Sequence, residues 1–98
     1  MKAMSSELFW PNRTTQRFRA LLADLPEDVQ RQARKAFKLY ETNPNHPGLN
    51  FERLHTKGEY YSARVNQQYR VMAKRKPDHL LWFWIGTHDE YDKLLTRL

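Results

Sequence analysis

The 98-residue chain contains no cysteine. Disulfides, thiolate nucleophiles and zinc–thiolate sites are therefore excluded, and the composition suits a reducing cytosol. Only three residues are glycine, and there is no glycine-rich phosphate loop, dinucleotide-binding fingerprint or nucleophilic-serine elbow. These absences remove several large classes of enzyme.

Long apolar runs are also missing. The longest, Leu80–Ile85, falls far short of the roughly 20 apolar residues that a membrane-spanning helix needs. The N-terminus has no apolar segment ahead of a cleavage site, as a secretory signal would. We therefore expect a soluble, cytoplasmic protein without a membrane partner.

The chain does contain enough apolar material for one core, together with an excess of positive charge. Hydrophobic residues make up 40% of it and aromatic residues 13%, so a disordered chain is excluded. A single domain over residues 1–98 is expected at this length. The formal net charge of +6 favours polyanionic partners such as nucleic acid.

The first half of the chain shows helical periodicity. After a short strand predicted over Ser5–Trp10 and ended by Pro11-Asn12, a helix capped by Thr14 or Thr15 is expected. A second helix begins at Pro26 and presents an apolar stripe opposite a basic face. The first helix carries Phe18, Leu21, Leu22 and Leu25, and the stripe of the second consists of Val29, Ala33, Ala36, Phe37 and Tyr40.

The second half alternates with a period of two, which is typical of strands. One strand is predicted over Phe51–His55, and alternating runs on either side of the turn at residues 66–68 predict a hairpin with one apolar and one basic face. Leu80–Ile85 predicts a strand covered on both faces, with Gly86 letting it leave the sheet. Thr87 and Glu90 form the capping-box pattern of a short final helix.

These elements predict an α+β fold, in which an N-terminal helical hairpin packs on a small antiparallel β-sheet and a short C-terminal helix follows. The aromatic run at residues 82–84 is expected to pack in the core. One of the two tryptophans, Trp82 or Trp84, is free to surface in a partner groove.

The positive charge is concentrated in the predicted sheet. Between Phe51 and Lys76 there are seven Lys/Arg and two acids, which accounts for five of the six net charges. If Val65 faces Tyr69 across the hairpin turn, Arg64 lies directly opposite Arg70. Like charges in that position cost up to about 1 kcal/mol, whereas two adjacent guanidinium groups suit a phosphate. The other interpretation is that both side chains extend into solvent.

Two residues of the final helix carry groups able to transfer protons. His88 occupies the first helical position, where the helix dipole disfavours imidazolium and leaves a neutral ring able to accept a proton. Free N–H groups at this helix start could bind a phosphate, although the acidic residues that follow oppose it. Tyr91 lies three residues later on nearly the same face. Alternatively, His88 makes one structural hydrogen bond and Tyr91 packs on the sheet edge.

Together with Arg64 and Arg70, this pair provides the minimum groups for metal-independent RNA cleavage. No metal-ligand spacing connects the four histidines, so we predict no metal and no cofactor. Five further residues are candidates for binding RNA on the basic strands: Arg53, His55, Lys57, Lys74 and Arg75.

Three stretches of the chain carry a family pattern: "LPEDVQRQARKAF", "YYSARVNQQYRVM" and "LLWFWIGTHDEYDKLL". In this order they resemble the RelE/ParE superfamily of bacterial toxins, the toxin halves of type II toxin–antitoxin systems. The resemblance implies a small antiparallel sheet backed by a helical hairpin, and a cognate antitoxin that wraps the toxin. RelE-like members cut mRNA in the ribosomal A site without a metal, whereas ParE-like members poison DNA gyrase.

The resemblance also implies roles for particular residues. Arg64 and Arg70 match the basic residues on the central strands of RNA-cleaving members, and His88 and Tyr91 match their C-terminal His or Tyr. The acid-rich helix after His88 departs from several of those nucleases. The leading hypothesis is a ribosome-dependent mRNA endonuclease, and the alternative is a gyrase inhibitor or a degenerate toxin that only binds proteins. Either should expose an apolar groove for its antitoxin, between the helical hairpin and the sheet or beside the last helix.

Overall fold

The computed structural model describes residues 11–54 and 59–97. The strand predicted over Ser5–Trp10 lies outside these residues. The elements are, in order, β1 (Asn12–Thr14), α1 (Gln16–Ala23), α2 (Glu27–Thr42), a 3₁₀ turn (Pro47–Leu49), β2 (Glu52–Arg53), β3 (Tyr60–Arg64), β4 (Tyr69–Arg75), β5 (Leu80–Thr87) and α3 (His88–Leu95). The strands form one sheet in the order β1-β5-β4-β3-β2. The predicted α+β fold with a short C-terminal helix is confirmed.

The edge strand β1 differs from the predicted antiparallel sheet, because it pairs in parallel with β5. The Trp82 Nε1 donates a hydrogen bond of 2.7 Å to Asn12 Oδ1, and the Leu80 N–H donates one of 2.9 Å to the Pro11 carbonyl. A strand that begins at Asn12 was not predicted, since Pro11-Asn12 was expected only to end the strand over Ser5–Trp10. Its partner strand is far away in sequence, so no local pattern marks the pairing.

The helical hairpin forms as its capping residues predict. The Thr15 hydroxyl accepts a hydrogen bond of 3.0 Å from the Phe18 N–H at the start of α1. Pro26 directly precedes α2, and Glu27 and Asp28 lie in its first turn, where they complement the positive end of the helix dipole. Both helices pack on one side of the sheet, which we call the helix face.

Trp82 lies at the centre of the core on the helix face and is 1% exposed. Its indole contacts Phe37, Tyr40 and Phe51, with ring centroids 5.3, 6.1 and 6.5 Å away. The expected core position of this tryptophan is confirmed. Large aromatic rings such as these each bury much apolar area, so the cluster is a major part of the core on the helix face.

A register shift between β4 and β5 sends the two tryptophans to opposite faces. Met72 pairs with Trp84 and Ala73 with Trp82, which leaves Phe83 as an extra residue on β5. Since Met72 and Ala73 are consecutive on β4, their side chains point to opposite faces, and so do those of their partners. Trp84 therefore lies on the second side of the sheet, which we call the outer face.

The outer face is covered only in its middle. Helix α3 packs there through Tyr91, whose ring centroid is 6.4 Å from that of Trp84. Beneath them, Met72 is 0% and Ser62 4% exposed. The face of the hairpin that was predicted to be basic is thus basic only at its rim. The prediction that β5 is covered on both faces is wrong, because only the helix face is fully covered. On β5, the residues Leu81, Phe83 and Trp84 remain half-buried.

The strand β5 does not end at Gly86 but continues to Thr87. A Cβ atom at Gly86 would lie 2.5 Å from Trp84 Cζ2 and 2.7 Å from Glu90 Oε1. The glycine is therefore required by the indole folded over it, and not by a turn. Within the described part of the chain, no helix is long and apolar enough to cross a membrane.

Candidate functional site

The site is built around the turn between β3 and β4. The Val65 N–H donates a hydrogen bond of 3.1 Å to the Tyr69 carbonyl, and Arg64 pairs with Arg70, so the predicted register is confirmed. Inside the turn, Asn66 Oδ1 accepts hydrogen bonds from the Gln68 and Tyr69 N–H groups, at 2.8 and 2.9 Å. This is an Asx turn, which fixes the backbone through one side chain.

The Arg70 side chain folds back on that turn. Its Nη1 donates to the carbonyls of Asn66 and Tyr69 at 2.8 and 3.1 Å. Among the described residues, Nη2 and Nε of Arg70 have no hydrogen-bond partner. The guanidinium is thus anchored through one nitrogen while its other N–H groups remain available to an anion.

The start of α3 is attached to the same turn. The His88 N–H donates a hydrogen bond of 2.7 Å to the Gln68 carbonyl. The predicted capping box is present, with Thr87 and Glu90 bonded in both directions at 3.2 and 2.9 Å. His88 thereby begins the helix at a fixed position, as predicted, and its side chain is 48% exposed.

The N–H groups at this helix start are largely occupied. Those of His88 and Glu90 have acceptors in the Gln68 carbonyl and the Thr87 hydroxyl. The side chains of Asp89 and Glu90 add negative charge at the same end. A phosphate held by the helix N–H groups is therefore not supported, and any anion here would rely on Arg70.

Arg70 and His88 border one open cavity of about 370 Å³ at this end of the sheet. The cavity offers a guanidinium, an imidazole, two side-chain amides and a carboxylate. A cation and a titratable ring together suit the cleavage of a phosphate ester, because that reaction needs both charge stabilisation and proton transfer. Its lining consists of Gln67, Gln68, Tyr69, Arg70, Thr87, His88 and Asp89.

Tyr91 does not line this cavity. It is 8% exposed, packs on Trp84, and lies with its ring centroid 6.3 Å from that of His88. Tyr91 therefore packs on the sheet beside the histidine and outside the cavity, as the alternative interpretation expected.

Arg64 borders a different cavity, of about 300 Å³, together with Gln32 and Lys35 of α2. Its Nε is buried and has no hydrogen-bond partner among the described residues. Arg64 and Arg70 thus face each other in register without lining a common cavity. The like-charge cost is reduced because the Arg70 guanidinium turns toward the hairpin tip.

Three of the other candidate RNA-binding residues, Arg53, Lys74 and Arg75, lie toward the opposite end of the hairpin. Lys74 pairs with Tyr60 in the ladder, and its Nζ is 5.5 Å from the centroid of the Tyr60 ring. Arg53 is exposed, and its Nη2 is 3.5 Å from Glu59 Oε2. Arg75 is half-buried at the end of β4. His55 and Lys57 lie outside the described residues.

Acidic groups surround His88 on its own helix. Its Nδ1 is 3.7 Å from Asp92 Oδ2. Ligand atoms of His88, Asp89 and Asp92 all lie within 4.8 Å of one another, and all three residues are exposed. Exposed clusters of this kind are common without a bound ion, so the absence of a metal stays a prediction.

Sequence reasoning missed the turn residues that organise the site. Asn66, Gln67 and Gln68 were assigned only to the turn, yet two of them line the cavity and the third fixes the backbone. An asparagine at the first position of a tight turn was a signal for the Asx turn. The contact of Gln68 with His88 had no signal, because it depends on the tertiary fold.

An apolar groove lies beside α3, at one of the two places expected for a protein partner. It measures about 270 Å³ and is lined by Thr15, Arg17, Phe83, Trp84 and Leu94. The cavity beside α2 and the β3–β4 turn occupies the other expected place.

Comparison by sequence identifies a known domain. The family model described as "ParE-like toxin domain" matches residues 27–93, more than half of the chain. No curated protein matches the chain by sequence.

Comparison by structure finds similar folds among toxins. The chain is similar to the archaeal RelE–RelB complex from Pyrococcus horikoshii OT3, with 18% identity and a TM-score of 0.63, over 80% of this chain and 93% of that one. YafQ from E. coli is 16% identical with a TM-score of 0.66, over 84% and 97%. The RelB–RelE antitoxin–toxin complex from Methanococcus jannaschii is 14% identical with a TM-score of 0.65, over 81% and 93%.

Proposed function

Because the chain belongs to the family of ParE-like toxin domains, we propose that it is the toxin of a type II toxin–antitoxin pair and cleaves mRNA on the ribosome without a metal. The observation that carries this proposal is the open cavity shared by Arg70 and His88. The likeness of the fold to RelE and YafQ supports it. The whole chain, residues 1–98, acts as one toxin domain in this proposal.

The chemistry proposed for this cavity is transfer of a phosphoryl group within the RNA. His88 removes the proton from a 2′-hydroxyl, whose oxygen attacks the adjacent phosphorus as the bond to the 5′-oxygen breaks. The free N–H groups of Arg70 stabilise the extra negative charge on the phosphate oxygens. The protonated His88, directly or through a water molecule, then gives its proton to the leaving 5′-oxygen, so the ring is neutral again and the products are a 2′,3′-cyclic phosphate and a 5′-hydroxyl.

The residues outside the cavity have supporting roles in this proposal. Tyr91 holds the His88 ring from behind. Arg64 adds positive potential from the neighbouring strand, and five further basic residues bind RNA beyond the scissile phosphate. These further RNA-binding residues are Arg53, His55, Lys57, Lys74 and Arg75.

The partner proposed for this toxin is a cognate antitoxin. Two of the similar structures are RelE–RelB complexes, in which such a toxin is bound by its antitoxin. The groove lined by Phe83, Trp84 and Leu94 supports a partner that brings an apolar segment. The ribosome and its mRNA are the other partners.

A second function is favoured by the acidic groups near His88. Asp89 lines the cavity and Asp92 lies 3.7 Å from the His88 ring, so both repel an incoming phosphate. This arrangement suits a protein that only binds other proteins, such as an inhibitor of DNA gyrase or a degenerate toxin.

Purified ribosomes programmed with mRNA test the proposal directly. The wild-type protein should cleave the mRNA in the presence of EDTA. His88→Ala should lower the rate by about 10² to 10⁴ through the lost proton transfer, and Arg70→Ala by about 10² to 10³ through the lost charge stabilisation. The same two variants should relieve the growth arrest caused by expression without an antitoxin.

His46→Ala and Arg31→Ala are the matched controls. Both residues are exposed and lie outside the cavity, so these variants should cleave at the wild-type rate. Intact mRNA together with inhibited gyrase supercoiling would reject the nuclease and favour the second function.

A further inference from the structure

The Asn66 side chain makes three hydrogen bonds, which use both of its polar atoms. Its Oδ1 accepts from the Gln68 and Tyr69 N–H groups. Its Nδ2 donates to Gln32 Oε1, at 2.5 Å, and so ties the turn to α2. One small side chain therefore sets the backbone of the turn and its distance from a helix.

The carbonyls of this turn hold both groups of the proposed site. The Asn66 carbonyl accepts from Arg70 Nη1 at 2.8 Å, and the Gln68 carbonyl accepts from the His88 N–H at 2.7 Å. The direction of each carbonyl depends on the dihedral angles of the turn. Any change in the turn therefore moves the guanidinium and the start of α3 together.

We propose that Asn66 is the positioning residue of this site, and the role rests on the function proposed above. Asn66 does not line the cavity of Arg70 and His88 and so does not contact the substrate. It acts by keeping the cation and the proton acceptor at the separation that one phosphate requires. Misplacement of reacting groups by about 1 Å lowers a rate by about 10²-fold.

The hydrogen bond from Asn66 to Gln32, which we call the Gln32 tether, extends this positioning role to α2. Asn66 and Gln32 line the cavity on the α2 side, while Gln67 and Gln68 line the cavity with His88. The turn is thus the wall between the two cavities. Loss of the tether leaves the Oδ1 bonds in place, so Gln32→Ala should have a smaller effect than Asn66→Ala.

The test combines amide hydrogen exchange by NMR with steady-state kinetics of mRNA cleavage on ribosomes. In Asn66→Ala, exchange of the His88 amide should rise severalfold, and kcat should fall by about 10² with KM little changed. Asn66→Asp keeps acceptor oxygens for the Gln68 and Tyr69 N–H groups. This variant should restore the protection of the His88 amide and most of kcat.

Asn45→Ala is the matched control, because Asn45 is exposed in the loop after α2. Unchanged exchange at His88 in Asn66→Ala overturns the inference, as does raised exchange with unchanged kcat. A loss of kcat that accompanies global unfolding, measured by denaturation, and that Asn66→Asp fails to restore also overturns it. Failure of the wild-type protein to cleave mRNA overturns the proposed function instead, which the exchange measurement does not depend on.

Discussion

Each face of the sheet carries a tryptophan of β5, but the two faces bury their tryptophans to different extents. On the helix face, Trp82 is surrounded by aromatic rings and is 1% exposed. On the outer face, Trp84 has one aromatic neighbour in α3, Tyr91, and remains half-buried. The first face holds the fold together, whereas the second buries its middle and leaves its rim open.

This difference explains where the candidate site lies. Arg70 and His88 stand at the rim of the outer face, where the sheet ends and α3 begins. Burying a guanidinium or a protonated imidazole without a partner costs free energy, which favours the open rim over the apolar helix face for both groups. The buried middle, in turn, supplies the rigid support that a site at the rim needs.

The largest expected effect is the difference in stability between variants of the two tryptophans. Trp82→Ala should lower the free energy of unfolding by about 3–5 kcal/mol, because it empties the centre of the core. Trp84→Ala should cost only about 1–2 kcal/mol, because the side chain is already partly in water. Urea denaturation of both variants measures this difference, and equal losses would show that the outer face is a second full core.

A methyl group at Gly86 tests how tightly the outer face is packed. Gly86→Ala places a Cβ 2.5 Å from the Trp84 ring and 2.7 Å from the Glu90 carboxylate. We expect a loss of about 1–3 kcal/mol in the free energy of unfolding, as is typical of overpacking. Gly48→Ala is the control, since its Cβ would meet only the exposed His46 ring at 3.1 Å. Equal stability of the two variants would mean that Trp84 moves freely.

The smallest expected effect concerns the attachment of α3 to the rim. Thr87→Ala removes the hydroxyl that accepts the Glu90 N–H and should cost about 0.5–2 kcal/mol. Thr96→Ala, at the other end of the same helix, is the matched control. Thermal denaturation measures both. A loss no larger in Thr87→Ala than in Thr96→Ala would show that the capping box contributes little to holding the outer face.

Local patterns in the sequence predicted much of the fold. The helical hairpin, the Arg64–Arg70 register and the capping box of Thr87 and Glu90 all follow from periodicity and spacing over a few residues. Each depends on interactions between residues that are close in the chain. The α+β class then follows from the order of these elements.

Features that depend on distant contacts were not predictable in this way. The parallel pairing of Asn12 with Leu80 joins residues that are far apart in the sequence. The register shift at Phe83 reverses the side-chain alternation of β5, so spacing along the strand could not decide which of Trp82 and Trp84 surfaces. Two residues of the candidate site, His88 and Arg70, could be proposed from the sequence, but the hydrogen bond from the His88 N–H to the turn could not, because it depends on the assembled sheet.

The register shift has a consequence for the length of the chain. Phe83 is the extra residue of β5, between two residues whose partners on β4 are consecutive. Removal of Phe83 would leave Trp82 and Trp84 adjacent, and a regular strand would still direct them to opposite faces. Deletion of a different residue of β5 would instead move the side chains beyond the deletion to the opposite face of the sheet. The sheet thus contains a position at which the chain can shorten by one residue while each tryptophan keeps its side of the protein.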